Sequence, residues 1–322
     1  MISIVVVSWN SGRDLEGCVE SLAAARARSA TPAELIVVDN DSEEAPGEAI
    51  RRLWPDVRLA VLSENVGFGP AVNHGAAHAK GEILLLVNPD ARATGDAFGA
   101  IARALETHAD WVAVAPRLIP LSIQDPESGE RGGADTGGES QETFQLRRLP
   151  TLRQAARELL LIDRAFPGNR GRVRDRYLDR DRSTSFEVEQ PAAAVLAVRR
   201  DAFGSIGGFD PRFVPAWWED VDLCARLRRT GKIVYYPDVL FEHAGGASMR
   251  RLGYDRFLPV YYRNAIVFWR KHHGAAAAFL FRALVAAGMV LRALLLPLRP
   301  SPPRSRREAF RAYRGAFRAA LS

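Results

Sequence analysis

Ser3–Ser8 (SIVVVS), Glu34–Asp39 (ELIVVD) and Ile83–Asn88 (ILLLVN) are apolar almost throughout rather than at every second position. A strand with one wet face alternates apolar and polar side chains. A strand apolar on both faces is covered on both, as in a parallel sheet packed between helices. Val57–Leu62 and Trp111–Pro116 read as further strands, with helical patterns at Leu15–Ala27, Gly47–Leu53, Pro70–Ala79 and Asp96–His108 between them. That β-α-β-α alternation predicts an α/β fold, a Rossmann-like, doubly wound, mostly parallel sheet flanked by helices. Ligands of such sheets bind at the carboxyl ends of the strands. Here those ends carry Ser8, Trp9 and Asn10, then Asp39 to Ser42, then Asn88 to Asp90.

Beyond this half, Ser122 to Thr143 is rich in Gly, Glu, Asp and Ser and reads as a mobile loop. A helix is expected over Leu152–Ile162, followed by an Arg-rich stretch through Arg182 and an apolar segment Ala192–Val198 that leads to the turn Gly207–Asp210. Glu219 to Thr230 reads as a helix that Gly231 ends, with strands Ile233–Tyr236 and Val239–Glu242 after it.

With 322 residues, 47% of them hydrophobic, the chain can bury a sizeable core and a cleft. The net charge of +6 is matched by residues 299–322 alone, which hold seven Arg and one Glu. The remaining 37 basic and 37 acidic residues balance, so the reading is a neutral body with a basic tail. With no nucleic-acid-reading module present, that points to an anionic membrane surface or a partner and excludes nucleic acid. Cys18 falls on the apolar helix face Leu15, Cys18, Val19, Leu22, and Cys224 stands near Leu223 and Leu227. Both are expected as core thiols of a reducing compartment. The first strand begins at residue 3 with no leader before it, so a cytoplasmic location is expected.

Five polar clusters carry the chemistry, each with a plainer reading beside it. Asp39-Asn40-Asp41-Ser42 offers carboxylates to a base N–H or a ribose hydroxyl, or serves as a turn and helix cap. Asn65-Val66-Gly67-Phe68-Gly69, running on to Asn73, lets backbone approach a ligand at a helix start, or is an ordinary glycine turn. Asn88-Pro89-Asp90 can hold a divalent cation that bridges a pyrophosphate, or simply turn the chain. Trp217-Trp218-Glu219-Asp220-Val221-Asp222 is harder to explain structurally, because capping accounts for one acid and not for the paired rings. It reads as a general base for a sugar hydroxyl with aromatic walls for the sugar face. His243 ends a strand ahead of glycines and reads either as a structural histidine or as a site residue that a ligand can approach closely.

In order, VVVSWNS, IVVDNDS, NVGFGPAVNHG, LLLVNPD, GGFD, WWEDVDLCARLRR and FEHAGGAS resemble the family-2 glycosyltransferases, especially bacterial rhamnosyltransferase-like members, over about residues 1–272 apart from the loop. The resemblance implies a GT-A fold and inverting transfer of a sugar, rhamnose as the best guess, from a dTDP- or UDP-sugar to a hydroxyl of a glycan or lipid-linked acceptor in cell-envelope polysaccharide synthesis. It implies donor contacts from Ser8, Asn10, Asp39, Asp41, Asn65, Gly67, Phe68, Gly69, Asn73, Asn88 and Asp90, and acceptor contacts from Trp217 and Trp218. Asp220 would be the base with Glu219 beside it, and Asp90 and His243 would hold Mn²⁺ or Mg²⁺. Asn88 stands where the metal motif more often has an acid, and Gln190-Pro191-Ala192-Ala193-Ala194 where a glycine-containing acceptor segment is more usual. On this reading residues 1–120 form the donor half, 121–184 a loop and helical insertion, 185–250 the acceptor and catalytic half, and 251–322 C-terminal amphipathic helices with a basic tail. Two alternatives remain at this stage, a sugar-1-phosphate nucleotidyltransferase and a non-catalytic glycan-binding module. Against the first, Trp9-Asn10-Ser11-Gly12 is not a long basic phosphate loop.

Residues 275–298 are apolar, but Arg282 and Arg292 interrupt them, short of the ~20 apolar residues of a spanning helix. At 100° per residue Lys271, Arg282, Arg292 and Arg299 share one face, so the segment is expected to lie on the inner face of the plasma membrane, as in a peripheral protein.

Overall fold

The structure is a computed structural model that describes residues 1–121, 145–245, 252–298 and 305–322. In chain order it has β1 (Ile2–Ser8), α1 (Gly12–Arg28), β2 (Ala33–Asp39), α2 (Glu48–Leu53), β3 (Arg58–Val61), α3 (Phe68–Ala77), β4 (Ile83–Val87), β5 (Ala91–Ala93), α4 (Ala97–Thr107) and β6 (Trp111–Pro120). There follow β7 (Leu146–Arg147), α5 (Leu152–Leu159), α6 (Ile162–Ala165), α7 (Arg170–Asp175), β8 (Phe186–Glu187), β9 (Gln190–Pro191), β10 (Val195–Arg199) and α8 (Arg200–Ser205). The chain ends with α9 (Glu219–Leu227), β11 (Lys232–His243), α10 (Tyr254–Leu295) and α11 (Arg306–Leu321). It forms two compact units, the first of Met1–Arg147, Arg180–Pro211 and Glu219–Gly245, the second of Arg148–Asp179, Arg212–Trp218 and Gly246–Ser322.

In the first unit β1 runs parallel to β2 and β4, and β2 parallel to β3, which is the predicted doubly wound half. Ile4, Val5, Val6, Leu84 and Leu85 are buried to within 1% because helices cover both faces. Beyond β4 the sheet becomes mixed, in the order β3-β2-β1-β4-β10-β6-β11-β5, with β10 antiparallel to both neighbours. The two strands expected over Ile233–Tyr236 and Val239–Glu242 are one, β11, whose register on β6 shifts between Tyr236 and Leu240. Pro237 lies within that shift and has no N–H for the ladder. The expected loop over 122–143 lies outside the described residues.

The second unit is helical. α10 is not one rod: Gly274 sits at φ 83°, ψ 177°, outside helical space. The Trp269 and Phe281 rings stack at 5.1 Å, whereas twelve residues of straight helix would separate them by about 18 Å. The chain therefore folds back at Gly274. By length and composition Tyr254–Leu298 would pass as a membrane span, but the break makes 275–295 a separate helix. That break also corrects the expected cationic face. Lys271 belongs to the other half and lies 5.9 Å over the Phe213 ring, and Arg299 is outside the described residues. Arg282 Nε donates to the Ala320 carbonyl at 2.7 Å, and Arg292 donates to the Glu158 and Leu159 carbonyls at 3.0 and 2.5 Å. These two cations cap the C-terminal ends of α11 and α5.

Candidate active site

At the end of β1, Asn10 adopts φ 51°, and beyond β2 Asp41 adopts φ 68°, left-handed conformations that Asn and Asp tolerate better than other side chains. Their loops are tied together. Asn10 N–H donates to Ser42 Oγ at 2.8 Å, Glu43 N–H to Asn10 Oδ1 at 2.9 Å, and Ser42 Oγ to Asp39 Oδ1 at 2.5 Å. Asp39 is fully buried, whereas the Asp41 side chain is exposed. Ser8 is buried, and its carbonyl accepts from Asn40 N–H at 2.8 Å.

Asn40 joins this end of β2 to the glycine-rich helix start: its Nδ2 donates to Asn65 Oδ1 at 3.1 Å and its Oδ1 accepts from Val66 N–H at 3.0 Å. Gly67 takes φ 89°, and its N–H donates to Asn65 Oδ1 at 3.0 Å. Phe68 packs edge-on to Phe209 at 5.8 Å, and a Cβ on Gly69 would stand 3.0 Å from Phe209 Cβ. Both ends of the Asn73 amide are bound to Phe209 backbone at 2.8 Å, so Asn73 grips the Gly207–Asp210 turn. The same turn is held by Arg226, which donates to the Ile206 and Gly208 carbonyls at 2.9 and 2.7 Å and pairs with fully buried Asp222 at 2.7 Å.

The residues after β4 and at the end of β11 meet. Asp90, 6% exposed, places Oδ1 3.2 Å from His243 Nε2, and Ala244 N–H donates to the Asp90 carbonyl at 3.1 Å. Antiparallel pairing of β11 with β5, His243 opposite Ala91, sets that meeting. The Asn88 side chain is half-buried, and Asn88 N–H donates to the Ala194 carbonyl at 2.8 Å.

One residue before Ala194, Ala193 N–H donates to the Asp220 carboxylate, which also accepts from Val221 N–H at 2.8 Å. Gln190 Nε2 approaches Asp220 Oδ2 at 3.5 Å, and β7–β9 pairing puts Arg147 opposite Gln190. Burial raises the Asp220 carboxyl above the ordinary aspartate value, while these amides and the Arg147 charge oppose the rise. Glu219, 7% exposed with Oε2 unpartnered, is pushed up further by burial and then by Asp220. Of the two neighbouring carboxyls, Glu219 is raised the further. The chain thus links the Asp220 carboxylate to the His243 imidazole through Ala193-Ala194 and Asn88-Pro89-Asp90.

The two tryptophans just before Glu219 belong to the second unit. Trp217 and Trp218 take φ 71° and 73°, a strained region for aromatic side chains. Asn264, fully buried, holds them there by donating to the Ala216 and Trp217 carbonyls at 2.9 and 3.1 Å. Trp218 is 8% exposed among Tyr261, Phe268 and Phe281, and Trp217 packs edge-on to Phe257 at 4.7 Å. Sequence reasoning missed Asn40, Ser42, Arg147 and Asn264. Asn40 and Ser42 stood inside a quoted motif, but nothing local marked the other two.

Buried Asp39 and Asp90 thus lie beyond strand ends of a doubly wound sheet, with Asp90 paired to His243. The sequence model of glycosyl transferase family 2 matches residues 3–172, and the chain belongs to that family. It is a glycosyltransferase and not a nucleotidyltransferase or a binding module. The chain is 28% identical to the N-acetylglucosaminyl-diphospho-decaprenol L-rhamnosyltransferase of Mycobacterium tuberculosis, over 98% of each chain. Among solved structures, S. aureus TarS 1–349 aligns over 99% of this chain and 90% of its own, with TM-score 0.50 and 14% identity. The chain spans 43% of the longer TarS chain. The mannosyltransferase PcManGT of Pyrobaculum calidifontis, in complex with GDP-Man and Mn²⁺, aligns over 99% of this chain and 86% of its own, with TM-score 0.52 and 15% identity. These structural likenesses show the fold, an α/β glycosyltransferase fold of the GT-A type.

Proposed function

We propose that the chain transfers a rhamnosyl residue, with inversion, from a nucleoside-diphosphate donor, dTDP-rhamnose foremost, to a hydroxyl of a lipid-linked, diphosphate-bearing glycan at the cytoplasmic face of the membrane. The observation that carries the chemistry is the short backbone route from Asp220 to the Asp90–His243 pair. The near-full-length similarity to the mycobacterial rhamnosyltransferase supports the donor sugar and the acceptor class.

Asp220 accepts the acceptor hydroxyl proton as the oxygen bonds to the anomeric carbon; the bond from that carbon to the diphosphate breaks and the nucleoside diphosphate departs. Glu219, holding its proton, keeps a second negative charge away from the base. Asp41 would meet the nucleoside, with buried Asp39 holding its loop through Ser42, the backbone of Asn65 to Gly69 would meet the phosphates, and Asn73 and Arg226 hold the turn that packs under Gly69. Trp217 and Trp218 act by setting the backbone that enters Glu219-Asp220. Asp90 and His243, 3.2 Å apart, would be the two protein donors to a divalent cation. Mn²⁺ or Mg²⁺ bound there supplies charge neutralisation for the leaving diphosphate.

The test is turnover with a polyprenyl-diphosphate-GlcNAc acceptor and dTDP-rhamnose, UDP-GlcNAc or GDP-mannose. Rhamnosylated lipid from dTDP-rhamnose alone is expected. Product from another donor, with none from dTDP-rhamnose, overturns the sugar assignment.

A further inference from the structure

The two units have opposite net charge, which the linear sequence conceals because the second is assembled from three separate segments. Counted over the whole chain, the second unit carries 24 Lys and Arg against 6 Asp and Glu, a net +18, and the first carries 20 against 32, a net −12. Fourteen large apolar side chains are exposed among the described residues, and eleven of them belong to the second unit. A soluble surface does not concentrate such side chains without something to cover them.

Two helices of this unit show the pattern at its clearest. In the half 275–295, with the turn Leu296–Leu298 after it, the outward positions are Phe279, Ala283, Ala287, Val290 and Leu294, spaced by three or four residues along one stripe. Phe279 and Leu294 are each 70% exposed. The arginines of this helix do not interrupt the stripe, because Arg282 and Arg292 are bound to backbone carbonyls of α11 and α5. An open groove of about 490 Å³ continues the stripe between Leu152, Ala156, Leu280, Ala283 and Leu284, with exposed Arg153 at its rim.

α11 buries Ala309, Ala312, Tyr313 and Ala316 and turns Arg307, Arg311, Arg314 and Arg318 outward. At 100° per residue these four fall within about 60° of one another, with Phe310 and Leu321, 53% and 65% exposed, on the same side. Arg282, one turn from Phe279, bonds Ala320, the neighbour of Leu321, so the apolar stripe and the arginine face join there.

We infer that this face of the second unit is a docking surface for an anionic phospholipid bilayer. The arginines meet lipid phosphates, and Phe279, Val290, Leu294, Phe310 and Leu321 enter the acyl boundary. Charge complementarity selects this occupant over the same face of a second copy, which would bring the same four arginines against these and repel. The inference deepens the reading above, on which its biological sense rests, by naming the surface at which a lipid-linked acceptor is met. Its test does not use turnover.

The full chain is floated with phosphatidylglycerol-containing vesicles and with pure phosphatidylcholine vesicles, at low and high salt. Binding to the anionic vesicles is expected to be at least about tenfold tighter, to weaken with salt, and to be reversed by alkaline carbonate. Arg307, Arg311, Arg314 and Arg318→Glu together should reduce it by about 100-fold or more. Phe279→Asp with Leu294→Asp should also release the protein, and all six positions are exposed, so folding is undisturbed. Binding of dTDP with Mn²⁺ reports on the first unit and should be unchanged in both variants. Equal binding by the charge-reversed chain, resistance to carbonate, or a dimer that Phe279→Asp dissociates in a chain that binds no vesicle would each overturn the inference. Failure of vesicle binding with rhamnosyl transfer intact would sink this inference alone.

Discussion

The first unit holds the candidate chemistry in a body of net −12, yet the substrate it is proposed to bind is itself a diphosphate anion. The second unit carries net +18 and most of the exposed apolar side chains, with no carboxylate pair like Glu219-Asp220. The contrast separates two tasks. An acidic body does not attract a diphosphate by its net field, so on the proposed reading local N–H groups, and a cation at Asp90 and His243, would hold the donor. A basic, apolar-faced body suits an anionic surface. If the division is real, changes in one unit should leave the other's property intact.

The largest effect is expected from Asp90→Ala, which should abolish the Mn²⁺-dependent part of dTDP binding in a thermal-shift titration, with His243→Ala weakening it less. Vesicle binding should not change in either variant. Unchanged nucleotide affinity with Mn²⁺ in Asp90→Ala would remove the metal assignment. Asp220→Asn should lower turnover by roughly 10² or more while donor binding and vesicle binding persist. Near-normal turnover would exclude Asp220 as the base.

Next in size is Asp222→Ala, which strands Arg226 beside the Gly207–Asp210 turn. Breaking such a buried pair costs about 3–5 kcal/mol, measurable by chemical denaturation, and a loss below 1 kcal/mol would show that the turn is held otherwise. The smallest is Glu219→Gln, an isostere of the protonated acid, which should keep turnover within about fivefold. A carboxyl raised in the folded state favours folding below its unfolded value, and that stability is lost as pH rises through the window to the folded value. Glu219→Gln should therefore unfold a few degrees higher than the parent at neutral pH and lose that advantage in acid. A lower melting temperature at neutral pH would mean that Glu219 is ionised. In the parent, kcat/KM should fall on acidification at a pH above the ordinary aspartate value of about 3.9, because Asp220 is raised and must be unprotonated to act.

Much of the first unit was legible locally. Apolar runs covered on both faces can only be interior strands, and β1, β2 and β4 were read to within a residue or so at their ends. The pairing of Asp90 with His243 was implied by resemblance, but the contact depends on β5 lying against β11, a link across about 150 residues of chain. Gln190 and Arg147 reached Asp220 in the same way, through a two-residue ladder that no periodicity marks.

In the second unit the tertiary structure decided more. A helical wheel drawn through Gly274 put Lys271, Arg282 and Arg292 on one solvent face, because the wheel assumes an unbroken axis. Once the chain folds back there, the two arginines find helix-end carbonyls and the apolar side chains are left outside. Likewise a net charge summed along the chain made the body neutral, whereas the folded units divide the whole chain's +6 into +18 and −12. The sequence by itself determined which segments are strands or helices and which carry chemistry, since those follow from side-chain periodicity and residue type. Which segments share a body, and which face of a helix stays uncovered, depends on contacts between residues far apart in the chain, and only the tertiary structure settles it.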